Sequence, residues 1–326
     1  MMRTFLFSCL FILIGLPAGC GTPSFLVTPV ANTSKLEEVT VAQGQGWSPP
    51  KVAIIEVEGM LVNARTGGFL QPTENTLSLF TQQLARAAED DSVKAVVLRI
   101  NSPGGTVTTA DTMYQMVQKF RAATHKPVIA STQDLAASGA YYVACAADKI
   151  VAQPTSVIGS IGVIFNTFDV ADGMAKLGIR SEAIKSAPLK DMASPFHHLT
   201  DEERAVMQGL VDEYYHRFIN VVQTNRPIKD AQTLKLVTDG RVFSGTRAVE
   251  LGLADQTGLL PDALALAQSM AHCSNVSIIM YKRPYGYRGS IYASEPATPP
   301  QANTLKLELP VAQLSLPPGF YYLWQP

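Results

Sequence analysis

The sequence predicts an α/β domain on a largely parallel sheet, framed by extended segments at both ends. Three observations point there. Short apolar, β-rich runs alternate with stretches of helical apolar spacing. Two glycine-bearing turns each follow a buried run and precede a helical pattern. The two ends are instead rich in Pro, Gly, Thr and Gln, with no sustained period. With 47% hydrophobic and 16% charged residues in 326, the chain has apolar material for a sizeable core. Its net charge of −1 comes without any basic block, which argues against nucleic acid as a partner.

Val52–Val57 opens the domain as a short strand, followed by helical spacing over Leu77–Ala88. Ala95–Ile100 is a buried strand that runs into the first turn, Asn101-Ser102-Pro103-Gly104-Gly105. An amphipathic helix covers Thr109–Thr124, and Pro127–Ser131 is a further buried strand. The second turn begins at Asp134, with a helix predicted over Ser138–Ala147 and a strand over Lys149–Ala152. Leu199–Val222 is a long helix whose Thr200 cap and Glu203 three residues on form a capping box. Asp239–Asp255 and the helical Leu259–Met270 close the domain, and the pattern is compatible with repeated strand-strand-helix units.

At the N-terminus Arg3 precedes the apolar run Phe5–Leu16 and then Pro17-Ala18-Gly19-Cys20. The run has the length of a signal-peptide core rather than of a bilayer span. Small residues before Cys20 resemble a bacterial lipobox, although Pro17 stands where that pattern favours Leu. Acylation of Cys20, ordinary signal cleavage nearby and an uncleaved anchor are the three readings. Residues 1–20 are thus assigned as signal peptide and lipobox, 21–50 as a flexible tether and 51–282 as the folded domain. Residues 283–326 form a Pro-rich tail ending in Tyr321-Tyr322-Leu323-Trp324, able to dock on a neighbour, on the membrane interface or back on its own domain. Cys145 and Cys273 remain in the body of the protein; one pair makes no disulfide framework, and Cys145 reads as a buried small hydrophobe. No metal and no cofactor are assigned.

The two turns are where chemistry would sit. Adjacent Gly104 and Gly105 let a ligand approach the main chain and present N–H groups to an anion, though a Pro-Gly-Gly also makes a plain tight turn. Ser138, at a helix start, is either a helix cap or a nucleophile assisted by the helix dipole. A serine nucleophile needs a base. None of His125, His197, His198, His216 or His272 has a clear triad context. Lys190, in the stretch Ser186–Pro195, small and apolar except for Asp191, is the alternative if burial removes its proton; an ordinary solvated lysine is the plain reading.

Six segments in order resemble the signal peptide peptidase A family, relatives of the Clp protease fold. They are Ile100–Gly105, Ala136-Ala137-Ser138-Gly139 with Tyr141-Tyr142, Ala146–Ile150, Gly159–Ile164, Lys190-Asp191 with Ser194-Pro195, and Gly240–Gly245. The resemblance spans roughly Val52 to Met270. It implies a Clp protease/crotonase-like fold and a Ser–Lys dyad, with Ser138 as nucleophile and Lys190 as general base. It further implies that Ser160 orients the lysine and that the Gly105 and Gly139 amides form the oxyanion hole. Ala140 departs from the family, which usually has a second glycine there. Also implied are substrates that are signal peptide remnants or other unfolded peptides, a homo-oligomer with sites built partly between protomers, and an extracytoplasmic domain anchored to the membrane. Two other readings stand beside this one: a crotonase-like acyl-transfer enzyme, and a non-catalytic lipoprotein that binds peptides.

Overall fold

The computed structural model describes residues 35–64, 74–228, 230–283 and 319–324. Twelve strands are β1 (Glu37–Ala42), β2 (Lys51–Glu58), β3 (Val93–Ser102), β4 (Gly104–Thr106), β5 (Val128–Ala137), β6 (Lys149–Ala152), β7 (Val157–Gly159), β8 (Ile164–Asn166), β9 (Val242–Ser244), β10 (Gln256–Thr257), β11 (Ser277–Lys282) and β12 (Gly319–Leu323). The helices are α1 (Thr76–Glu89), α2 (Val107–Thr124), α3 (Gly139–Ala144), α4 (Ala171–Lys176), α5 (Asp201–Asn225), α6 (Ala231–Val237), α7 (Gly245–Glu250) and α8 (Leu260–Met270).

The main sheet runs β1-β11-β2-β3-β5-β6-β10, with β7 pairing β5 and β9. Neighbours from β11 through β10 are parallel, while β1 on β11 and β9 on β7 are antiparallel. A parallel sheet covered on both faces needs strands apolar on both sides, and β3 meets that demand. Its Val96, Leu98 and Ile100 join Phe80, Met113, Val117 and Phe120 in the larger core. The alternate residues Ala95 and Val97 join Ile129, Leu264 and Ala267 in the second. The sheet is therefore sandwiched between α1–α3 on one side and α8 on the other. No helix among the described residues is long and apolar enough to cross a membrane.

Most expected elements are present, including the capping box: Glu203 N–H donates to Thr200 Oγ1 (3.2 Å) and Thr200 N–H to Glu203 Oε2 (2.9 Å). Two expectations need correction. Residues 37–42 of the expected tether are an edge strand, β1, whose partner β11 lies at the far end of the domain sequence. The second turn is shorter than expected, because Leu135–Ala137 continues β5 by pairing with Val157–Gly159, and helix α3 ends at Ala144. Of the readings offered for the aromatic end of the tail, docking back on its own domain is the one the structure shows: it forms β12, between β4 and β8. Each correction involves a partner distant in sequence. Cys20 and the expected signal peptide lie outside the described residues.

Candidate active site

Ser138 is the hinge between β5 and α3. Its φ of 53° and ψ of −118° lie in a region that L-residues rarely adopt, at a cost of about 1–3 kcal/mol. The main chain is fully committed there: Ser138 N–H donates to the Gly159 carbonyl (2.7 Å) and its carbonyl accepts from Tyr142 N–H (2.9 Å). The side chain is 1% exposed and makes no capping hydrogen bond. The cap reading therefore fails, and a buried hydroxyl sits on a strained turn at a helix start.

The first turn reaches the same place. Gly104 has φ of 99°, and a Cβ on it would lie 2.1 Å from the Tyr322 carbonyl oxygen and 2.7 Å from the Gly139 nitrogen. A Cβ on Gly105 would lie 2.0 Å from the Leu61 carbonyl oxygen, and one on Gly139 would lie 3.3 Å from the Gly105 nitrogen. Both turns are glycine because main chain packs on main chain, and that packing puts the Gly105 and Gly139 amides side by side. Ser160 joins them from β7: it follows Gly159, has φ of 50°, is 8% exposed, and donates its N–H to the Arg241 carbonyl (2.8 Å). It lines a cavity of about 420 Å³ with Val163, Tyr215, Thr238, Gly240 and Leu323.

Four of the five predicted residues thus converge. Lys190 does not join them within one chain. It is exposed, in a turn where its N–H donates to the Ala187 carbonyl (3.1 Å), and no hydrogen bond among the described residues joins it to Ser138. The surrounding stretch carries six exposed large apolar side chains: Phe168, Val170, Leu177, Ile179, Ile184 and Phe196.

Other titratable groups are engaged elsewhere. Burial pushes the Cys145 thiol up to about 12, so it is an inert apolar filler. Burial likewise raises Tyr142, whose hydroxyl donates to Asp111 (2.7 Å). Among the described residues, Asp191, His197 and Glu203 have ligand atoms close enough together for a metal, though Glu203 also gives an oxygen to the capping box and Asp191 one to Lys185. No histidine hydrogen-bonds Ser138 among the described residues. The participant that the sequence did not disclose is Tyr322; its signal was the alternation of Phe320 and Tyr322 with Tyr321 and Leu323.

The sequence carries relatives that bear on this geometry. The Peptidase family S49 model matches residues 120–274, and the Clp protease model matches 53–159. A putative signal peptide peptidase SppA of Enterococcus faecium is 33% identical over 77% of this chain and 72% of its own length. A putative protease of Methanocaldococcus jannaschii is 40% identical over 59% of this chain and 61% of its own. Protease 4 of Haemophilus influenzae is 31% identical over 69% of this chain, which spans only 35% of that protein. With a Clp protease-like fold, a buried serine on a strained turn and these relatives, the chain belongs to peptidase family S49, the serine peptidases.

Proposed function

We propose that the chain hydrolyses peptides with Ser138 as nucleophile and Lys190 as general base. The observation that carries this reading is the buried, uncapped Ser138 hydroxyl beside the paired Gly105 and Gly139 amides. Ser138 Oγ adds to the substrate carbonyl as its proton passes to the neutral Lys190 amine. That proton then goes to the leaving nitrogen, and water resolves the ester by the reverse route. The two amides stabilise the tetrahedral oxyanion, an effect of about 2.7–4 kcal/mol per donor in hydrolases. Ser160 orients the lysine.

A lysine serves as base near neutral pH only where water is excluded. Lys190 is exposed in one chain, and the apolar side chains around it support burial against a second copy. The working form is accordingly a homo-oligomer. Substrates are unfolded peptides such as signal peptide remnants, met in the cell envelope by a domain anchored through lipidated Cys20. Ser138→Ala and Lys190→Ala tested on an unfolded peptide decide the dyad: both abolish cleavage, and retained hydrolysis in the lysine variant overturns it. Cys20→Ser releases the protein from the membrane fraction if the anchor is right.

A further inference from the structure

The segment that joins Lys190 to α5 brings together three ligand-bearing side chains that the peptidase reading does not use. Asp191, His197 and Glu203 stand at equal intervals, and one donor atom of each lies within 4.8 Å of the other two. His197 Nε2 is 3.5 Å from Asp191 Oδ2 and 3.9 Å from Glu203 Oε1. The Asp191 carbonyl oxygen completes the group, 3.2 Å from the same nitrogen. Each carboxylate gives only its other oxygen elsewhere: Glu203 Oε2 accepts from the Thr200 N–H (2.9 Å) and Asp191 Oδ1 from Lys185 (2.5 Å).

Two further features point to a cation at the centre of this group. Glu203 is 2% exposed, and its Oε1 accepts no hydrogen bond among the described residues. A buried carboxylate oxygen is stable only beside a donor or a positive charge. His197 Nδ1 lies 2.9 Å from the His198 carbonyl oxygen, which can only accept, so Nδ1 carries a hydrogen. That fixes the neutral ring's lone pair on Nε2, aimed at three oxygens. A histidine anchored through its other N–H to a carbonyl is the arrangement that orients metal-bound imidazoles. A proton on Nε2 serves one of the three oxygens, whereas a metal ion between them serves all three.

We propose that Asp191, His197 and Glu203 form a Zn2+ site, with the Asp191 carbonyl or a water in the fourth position. One imidazole and two carboxylates are ligands that zinc accepts. Tetrahedral bonds of about 2.0–2.1 Å set ligand atoms about 3.3 Å apart. The observed 3.5 and 3.9 Å therefore close by a small movement. Residues 191–200 form no helix or strand, and the ion ties them to the first turn of α5. Zinc thereby fixes the segment that follows Lys190. The site goes beyond the peptidase reading and does not depend on it.

The test is calorimetric titration of the complete chain with Zn2+ near neutral pH, where the imidazole is free to bind. One zinc binds per chain, and His197→Gln weakens it by at least about tenfold. Glu203→Gln weakens it likewise while keeping the capping box, because glutamine closes that box as glutamate does. His198→Ala, which removes the neighbouring imidazole, leaves the affinity unchanged. Saturating zinc raises the Tm of the complete chain and of neither ligand variant. In NMR of the 15N-labelled histidine rings, zinc moves the His197 Nε2 resonance while Nδ1 keeps its hydrogen. No binding at one equivalent, or binding that survives both ligand substitutions, overturns the proposal. So does an Nε2 that still carries a proton in the presence of zinc. If both ligand variants lose cooperative melting without zinc, the three groups serve the fold and the proposal is wrong. Hydrolysis enters none of these readouts, so failure here leaves the peptidase reading untouched.

Discussion

Ser138 has a backbone that serves its position and a hydroxyl that makes no capping bond to the helix it precedes. Replacing it by glycine relieves the strained φ of 53°, so Ser138→Gly gains about 1 kcal/mol of stability while losing hydrolysis. Denaturant melts with a peptide-cleavage assay measure both halves of that trade. Gly105 is the opposite case. A methyl there meets the Leu61 carbonyl oxygen at 2.0 Å, and backbone cannot step aside as a side chain can. Gly105→Ala therefore costs on the order of 3 kcal/mol or more, or prevents folding, as thermal and chemical melts would report.

Among elements, α5 lines the cavity beside the site through Gln208, Val211, Asp212 and Tyr215. Thr200→Ala removes one half of the capping box at the α5 start and costs about 1 kcal/mol, read from chemical melts. His198 and α4 are tied by charge: a hydrogen bond to Asp169 (2.6 Å), with Asp172 beside it, holds His198 above its usual imidazole value. A raised folded pKa contributes stability fully present below the unfolded value of about 6.5, lost as pH rises through the folded value. NMR titration of the ring shows the midpoint above 6.5, and Asp169→Asn brings it down. The same stretch carries Lys190 and its apolar neighbours, so activity per chain should rise with chain concentration as copies associate. Activity independent of dilution, in a chain that stays monomeric, would count against the shared site.

For the whole molecule, the link between the sheet edge and the C-terminal helices is a buried ion pair. Arg226, whose side chain is 4% exposed, donates to Asp255 (2.9 Å) and to the Gly252 carbonyl (3.0 Å). Asp255 also accepts from Ile150 N–H (2.8 Å) and Lys149 (3.1 Å). Burial pushes the Asp255 carboxyl upward, but the Ile150 N–H and Arg226 outweigh it and leave the group below its usual value. A depressed folded pKa contributes stability present above the unfolded value near 3.9, lost as pH falls through the folded one. Melts between neutral pH and pH 3 therefore fall most steeply below about 4, less so in Asp255→Asn. Asp255→Ala strands a buried guanidinium and costs about 3–5 kcal/mol.

The strand and helix periods, the caps and the glycine turns were determined by the sequence alone. Each depends on residues a few positions apart: alternation in Ala95–Ile100, Thr200 with Glu203, Gly104 with Gly105. The order of six short motifs likewise led to Ser138, Ser160, Gly105 and Gly139 before any contact was known. Tertiary structure decided whatever depends on distant partners. It drew residues 37–42 into the sheet edge through β11, extended β5 to Ala137 through β7, and laid Tyr322 over Gly105 from the far end of the chain. It also left Lys190 exposed, where the sequence around it had suggested an apolar setting. The reason is physical: a local window reports backbone preference and periodicity, whereas pairing across a sheet and exclusion of water are properties of the packed chain.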